Sequence, residues 1–231
     1  MNLQRRLIFV RHAESIGNTL PMDVRAGMDI PNHAYHLTDR GREQAKFTGE
    51  WLKENVEYPR MGFQFFTSTF LRTIETMQVI MSHTGWPSVV PTADSRLDEK
   101  WDGIFHQLSP EELRARYRDQ IRQRKLAGYY HYRAPGGESC PDVEERIRSF
   151  FRDHGSVFDN QTLFIVGHGR WFLLAQKLLH GLSVAKFLEL KEAGCPNCSV
   201  TIYRVPVEKK WIPDKIVPWR DKLAGSTESF A

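Results

Sequence analysis

Three cysteines in 231 residues, Cys140, Cys195 and Cys198, are too few and odd in number for a disulfide framework. No apolar run approaches the roughly 18 residues that a membrane-spanning helix needs, so no membrane partner is expected. The stretch before the first apolar run, Met1 to Arg6, is too short for a signal-peptide core, and a cytoplasmic location is the resulting expectation. Excess charge of one sign is also missing. A net charge of +4, scattered along the chain, suits small anionic ligands and argues against a nucleic-acid partner. There is no internal repeat and no low-complexity tract. With 41% hydrophobic and 26% charged residues the composition is that of a folded protein, which excludes wholesale disorder.

What is present is an alternation of short apolar runs with helical patterns. Leu7–Val10, Phe63–Thr67 and Leu163–Val166 read as buried strands, with Val89-Val90 a short third strand and Val200–Val205 a late one. Between them, Thr38 opens a helix carrying Ala45, Phe47, Trp51 and Leu52. Ser68 is the expected N-cap of a helix with Leu71, Ile74, Met77, Ile80 and Met81 at helical spacing. Ser139-x-x-Asp142 resembles a capping box, Trp171–Leu179 follows as a helix, and Ser183 starts another. Strands alternating with helices predict a largely parallel sheet covered on both faces. Glu111–Lys125 reads as one lid-like helix studded with arginines, either a solvated face or a cover over an anionic substrate. The whole chain, 1–231, is expected to form one domain with a lid insertion at about 100–138 and a loose tail after about 211.

Two strand ends carry a histidine, Val10-Arg11-His12 and Val166-Gly167-His168, and a third is followed by Arg72. Ligands of open α/β sheets bind past the carboxyl ends of strands, where helix N-termini favour anions. Neutral imidazole can attack phosphorus, and Arg supplies planar, permanently charged donors to phosphoryl oxygens. The leaving oxygen then needs a proton donor. Asp98, Glu99 and Asp102 around Trp101 offer three carboxylates, and spacing alone does not choose among them; one desolvated against Trp101 could stay protonated. No cluster with metal-ligand spacing accompanies them. Cys195-x-x-Cys198 lacks the second ligand pair of a zinc site and is expected to hold core or turn cysteines, while His33 and His36 are expected to be solvated.

Arg11-His12-Ala13-Glu14-Ser15-x-x-Asn18, Leu37-Thr38-x-x-Gly41-x-x-Gln44-Ala45, Ser68-x-x-x-Arg72-Thr73-x-x-Thr76, Leu97-x-Glu99, Gly136-Gly137-Glu138-Ser139 and Gly167-His168-Gly169 follow one another in order. As an ordered set they resemble the histidine phosphatase superfamily, which includes phosphoglycerate mutases. The resemblance implies a three-layer α/β/α sandwich with a mostly parallel central sheet and an inserted helical lid-like segment. It implies a phosphomonoesterase without metal or other cofactor, acting through a phosphohistidine on a small phosphorylated substrate. In it His12 would be the nucleophile, Glu99 the acid/base, and Arg11, Arg72 and His168 the phosphate pocket. Asn18, Ser15 and Gly169 would contact the substrate, helix capping being the alternative for Ser15.

Ala13 departs from the Gly that the family often has after the motif histidine. The paired-arginine segment of glycolytic mutases has no counterpart, which favours hydrolysis over phosphoryl transfer. A phosphoglycerate-type mutase and a non-catalytic phospholigand-binding module are the alternatives. A homodimer is compatible with all three.

Overall fold

The computed structural model of the chain describes residues 5–59, 62–154, 162–205 and 212–217. Strands β1 (Arg5–Arg11), β2 (Phe63–Thr67), β3 (Thr92–Ala93), β4 (Thr162–Gly167), β5 (Val200–Val205) and β6 (Ile212–Val217) form one sheet in the order β3-β2-β4-β1-β5-β6. The first four run parallel, whereas β5 runs antiparallel to both β1 and β6. The pairing of β1 with β4, Leu7 opposite Leu163 through Val10 opposite Val166, lies at the centre.

Two-residue periodicity explains why these central strands are apolar throughout. Leu7, Phe9, Leu163 and Ile165 face one way, onto helices α8 (Cys140–His154), α9 (Gly169–His180) and α10 (Val184–Ala193), meeting Ile147, Phe150, Trp171 and Phe187. Ile8, Val10, Phe164 and Val166 face the other way, onto α3 (Asp39–Asn55) and α4 (Leu71–Thr84), where Ala45, Leu52, Met77 and Ile80 close the second core. The result is a three-layer α/β/α sandwich with a mostly parallel sheet. Short helices α1 (Ile16–Thr19) and α2 (Met22–Ala26) follow β1. No helix among the described residues is long and apolar enough to cross a membrane.

The segment between β3 and α8 carries α5 (Ile104–Gln107), α6 (Pro110–Arg116) and α7 (Arg118–His131). Its two ends are pinned together: Glu138 N–H donates to Trp101 O at 2.8 Å and Ile104 N–H to Pro135 O at 3.1 Å. Buried Glu144 on α8 accepts from Tyr130 Oη and pairs with Lys177 of α9 at 3.0 Å, which anchors the end of α7 to both helices.

Four local expectations change. Val89-Val90 is not a strand: Val90 is 91% exposed, and the edge strand comes three residues later, where Phe66 pairs with Thr92. The single helix expected over Glu111–Lys125 is two, broken at Tyr117 (φ −132°, ψ 39°), and α6 starts at the Ser109 capping box. Ser68 does not cap α4, whose N-cap is Phe70; its hydroxyl is engaged elsewhere, as described below. Part of the tail expected to lie loosely after residue 211 adds β6 to the sheet edge, and residues 218–231 lie outside those described.

Helix α3 sits unusually close to the loop after β1. Thr38 caps it, its hydroxyl accepting from Gly41 N–H at 3.0 Å, and Thr38 N–H donates to Glu14 O at 3.1 Å. A Cβ on Gly41 would lie 2.0 Å from Glu14 O, so only glycine permits this approach. Gly41→Ala is expected to destabilise the fold by about 1–3 kcal/mol, read as a lower urea midpoint with an unchanged m-value.

Candidate active site

The chain leaves β1 at Arg11 and turns through a loop fastened on several sides. His12 N–H donates to Gly167 O at 2.9 Å, and Ala13 N–H donates to Thr76 Oγ1 at 3.0 Å. The Cys195–Ser199 segment grips the same loop. Cys198 N–H donates to Arg11 O at 3.1 Å, Asn197 Nδ2 to His12 O at 2.8 Å, and the Cys195 carbonyl accepts from Arg11 Nη1. Cys198 adopts φ 56°, which aims consecutive backbone groups of this turn at the loop. The cysteines therefore belong to a clamp, in keeping with the turn expected for them. Ala13 is wholly buried, so its extra methyl is accommodated.

His12 is only 3% exposed. Its Nδ1 lies 2.7 Å from Ala13 O and must donate to it, so Nε2 holds the lone pair. That lone pair faces Arg72 Nε at 3.3 Å. Burial, then Arg72 and then Arg11, push the His12 pKa well below 6.5, so the ring is neutral at neutral pH.

Arg72, the second residue of α4, is a three-way junction. Its Nη1 donates to Asn32 O at 2.8 Å, its Nη2 lies 3.4 Å from His168 Nδ1, and Phe70 packs beneath the guanidinium at 4.7 Å. With Nδ1 accepting from Arg72, His168 carries its proton on Nε2 and donates to Ser68 Oγ at 2.7 Å. Ser68 Oγ also accepts from Phe70 N–H at 3.1 Å and pairs with Thr73 Oγ1 at 3.0 Å. This network is what Ser68 serves in place of the expected cap. His168 is fully buried at the end of β4, its ring 5.1 Å from that of His12, and burial followed by Arg72 lowers its pKa well below 6.5. Burial brings Arg72 itself down to about 10, with Glu99 opposing and Arg11 and Arg170 adding to the fall. Charges of one sign have been gathered here, and an anion would relieve them.

The three carboxylates left open by the sequence now separate. Asp98 is consumed by Thr69, its Oδ1 accepting from Thr69 N–H and Oγ1 at 2.8 Å each, with Oδ2 2.9 Å from the same hydroxyl. Asp102 is taken by Arg170 Nη1 at 2.6 Å and Lys100 Nζ at 3.0 Å; burial raises its pKa, but these two cations outweigh it and hold it below the ordinary value. Glu99 accepts from Lys100 N–H at 2.8 Å and lies 3.4 Å from Arg170 Nε, both through Oε1. Its Oε2 has no partner among the described residues. Its setting comes from Arg170 and not from the indole expected beside it, since Trp101 packs edge-on to Phe70 at 5.3 Å. Burial opposes the charge of Arg170, yet Glu99 and Asp102 hold its pKa well above the ordinary value.

A cavity of about 360 Å³ is lined by Arg11, His12, Ser15, Asn18, Arg72 and Glu99, six of the eight residues singled out from the sequence. The seventh, His168, lies behind Arg72. Gly169, the eighth, sits off the wall, where a Cβ would meet Arg11 Nε at 3.4 Å. Ser15 does both of the things considered for it: it lines the cavity and, at the N-cap of α1, directs N–H at 2.9 Å and Oγ at 3.1 Å to Asn18 Oδ1. The Asn18 amide N–H groups are thereby left for a ligand.

Arg170, Asn32, Tyr35 and Arg25 also line this cavity and were not singled out, and so does Arg124 of α7, one of the arginines weighed as a cover over an anionic substrate. Of those not singled out, only Arg170 had a signal, as the residue after Gly167-His168-Gly169 at a helix N-terminus. Of the arginines between Glu111 and Lys125, Arg114 pairs with Glu111 on the surface, whereas Arg124 packs on Phe105 at 4.7 Å. His36, expected to be solvated, is exposed but pairs with Glu75 at 3.1 Å. Among the described residues no three His, Cys, Asp or Glu side chains converge as a metal site would require.

Residues 7–214 match the Histidine phosphatase superfamily (branch 1). Phosphoglycerate mutase-like protein AT74 of Arabidopsis thaliana is 31% identical, the match covering 83% of this chain and 67% of that protein. A phosphoglycerate mutase of Schizosaccharomyces pombe is 25% identical over 91% of this chain and 95% of its own. Among solved structures, a mycobacterial glucosyl-3-phosphoglycerate phosphatase complexed with VO3 superposes with a TM-score of 0.66 at 25% identity, covering 91% of this chain and 97% of that one. An alpha-ribazole phosphatase from Shigella flexneri shares the fold, with a TM-score of 0.71 at 18% identity over 91% and 95% of the two chains. Fold, ordered motifs and family match agree: the chain belongs to the histidine phosphatase superfamily, branch 1.

Proposed function

We propose that the protein is a phosphomonoesterase that works through a phosphohistidine on His12, a finer statement than the hydrolase class its family supplies. The observation that carries the reading is the unprotonated Nε2 of a buried, neutral imidazole, in a cationic cavity that Glu99 also lines. Nε2 forms a bond to phosphorus as the ester P–O bond breaks, and the departing alkoxide takes a proton from Glu99. Water then attacks phosphorus, giving a proton back to the Glu99 carboxylate as the N–P bond breaks and inorganic phosphate leaves. Arg11 and Arg72 offer donors to the non-bridging oxygens. The Arg72 N–H that now faces His12 turns to an oxygen, and Arg11 brings a buried Nε with no partner among the described residues. His168, behind Arg72, acts through it: its Nδ1 accepts from Nη2 and holds the guanidinium toward those oxygens.

Phosphoryl transfer between positions of a phosphoglycerate is the second reading, favoured by the names of the sequence relatives. Phosphate release without any acceptor or bisphosphate separates the two. A module that only binds phosphate has no use for Glu99 or for an unprotonated Nε2. We place the reaction in the cytoplasm, supported by three free cysteines.

His12→Ala is expected to lower phosphate release from an aryl phosphate at least about a thousandfold, and EDTA to leave the wild-type rate unchanged. Glu99→Gln should cost about 10²–10⁴ in kcat, and the loss should be larger for an alkyl phosphate than for 4-nitrophenyl phosphate, whose leaving group needs no proton. Comparing the two substrates in one variant distinguishes proton donation from a structural defect.

The two buried imidazoles also set a pH dependence of stability. Their folded pKa values lie below 6.5, so as pH falls through 6.5 the unfolded chain binds protons that the folded one does not, and stability falls. Urea midpoints measured from pH 7.5 to pH 5 should decline, with a shallower slope in His168→Gln.

A further inference from the structure

A second cavity, of about 630 Å³, adjoins the phosphoryl site and is larger than it. The two share a neck of Arg25, Asn32, Tyr35, Asp102 and His106. Their linings differ in kind. The first is surrounded by arginines and Glu99, whereas the second is walled by Met28, Ile30, Pro31, Trp101, Ile104 and Pro135.

Two of these walls are large apolar side chains left open to water, Ile30 at 40% exposure and Trp101 at 41%. Uncovered apolar surface of this size beside a polar reaction site is what a ligand body covers. The indole is also well supported. It packs edge-on to Phe70 at 5.3 Å, and Phe70 in turn meets His168 at 5.0 Å, so a row of rings runs from the second cavity to the phosphoryl pocket. The floor is fixed by the pinned base of the lid, where Gly103 at φ 53° would bring a Cβ to 2.2 Å from Pro135 O.

Charge at the neck does not oppose entry of a phosphate ester, because Asp102 is already held by Arg170 and Lys100. Arg25 and Asp29 give the second cavity one formal charge of each sign, so it holds no excess of cations for a second anionic group.

We infer that the phosphate ester taken by this protein carries an apolar, ring-bearing alcohol, seated in the second cavity against Trp101 and Ile30 while its phosphoryl group sits at His12. The inference rests on the catalytic reading above for the position of the phosphate. Its test uses phosphonates, which bind without turnover, so the two can fail separately.

Calorimetry on the full-length protein should give naphthylethyl phosphonate a Kd about tenfold below that of ethyl phosphonate. In Ile30→Asp, a surface change expected to fold, the two affinities should converge while that for ethyl phosphonate is kept; Trp101→Ala should narrow the gap as well. Equal affinities in the wild type overturn the inference, as does a preference that survives both substitutions. Tighter binding of a propane-bridged bisphosphonate than of the naphthyl compound also overturns it, since a distal anion would then be what the cavity selects. If the preference is found but no ester is hydrolysed, the catalytic reading fails and the subsite stands.

Discussion

Everything at this site depends on one guanidinium placed where water is nearly absent. Arg72 spans His12, His168 and the Asn32 carbonyl with its three nitrogens, and burial holds it down to about 10. A cation with so little solvent is unfavourable unless other groups compensate. Here compensation is incomplete, because Arg11 and Arg170 add charge of the same sign and Glu99 is the principal acid opposing it. The pocket is thus prepared for an anion before one arrives, and the same cations add to the burial that keeps both imidazoles neutral. Under the proposed reading, the neutral His12 that nucleophilic attack requires owes its state first to burial and then to the cations that would hold the phosphoryl group.

Holding that arrangement is the work of the backbone around the end of β1. The His12 loop is fastened to β4 through Gly167, to α4 through Thr76, to α3 through the close approach at Gly41, and to β5 through the Cys195–Ser199 turn. Each contact comes from a different element of the sandwich. The position of one nitrogen is therefore set by the whole three-layer fold. Arg170 plays a comparable part on the opposite wall, tying Glu99 and Asp102 together so that one carboxylate is neutralised and the other faces the cavity.

Much of this was legible in the residues. Leu7–Val10 and Leu163–Val166 are apolar on both faces because both faces are covered, and that pattern alone places them at the sheet centre. His12, Arg72 and His168 follow from lying at strand ends. What escaped has physical reasons. The edge strand β3 is two residues long and exposed, so no apolar signal marks it, while the apolar Val89-Val90 is solvent-facing. Ser68 has the chemistry of a helix cap, and a tertiary bond to a histidine one hundred residues away overrode that local preference. The choice of Glu99 over Asp98 and Asp102 could not be made from spacing, since it depends on which carboxylates Thr69 and Arg170 occupy. Arg25 and Asn32 reach the cavity from a segment without periodicity, while Arg124 comes from a helix expected as either a solvated face or a cover, a choice only the folded chain makes.

The proposed reaction requires the unprotonated nitrogen of His12 to accept the phosphoryl group. Rapid quenching of the protein during turnover of a radiolabelled phosphate ester, followed by peptide mapping, measures this directly. An acid-labile, alkali-stable label on the peptide containing His12, formed within one turnover and lost as phosphate is released, is the predicted result. Turnover with no label on that peptide, or label elsewhere in the chain, would contradict it.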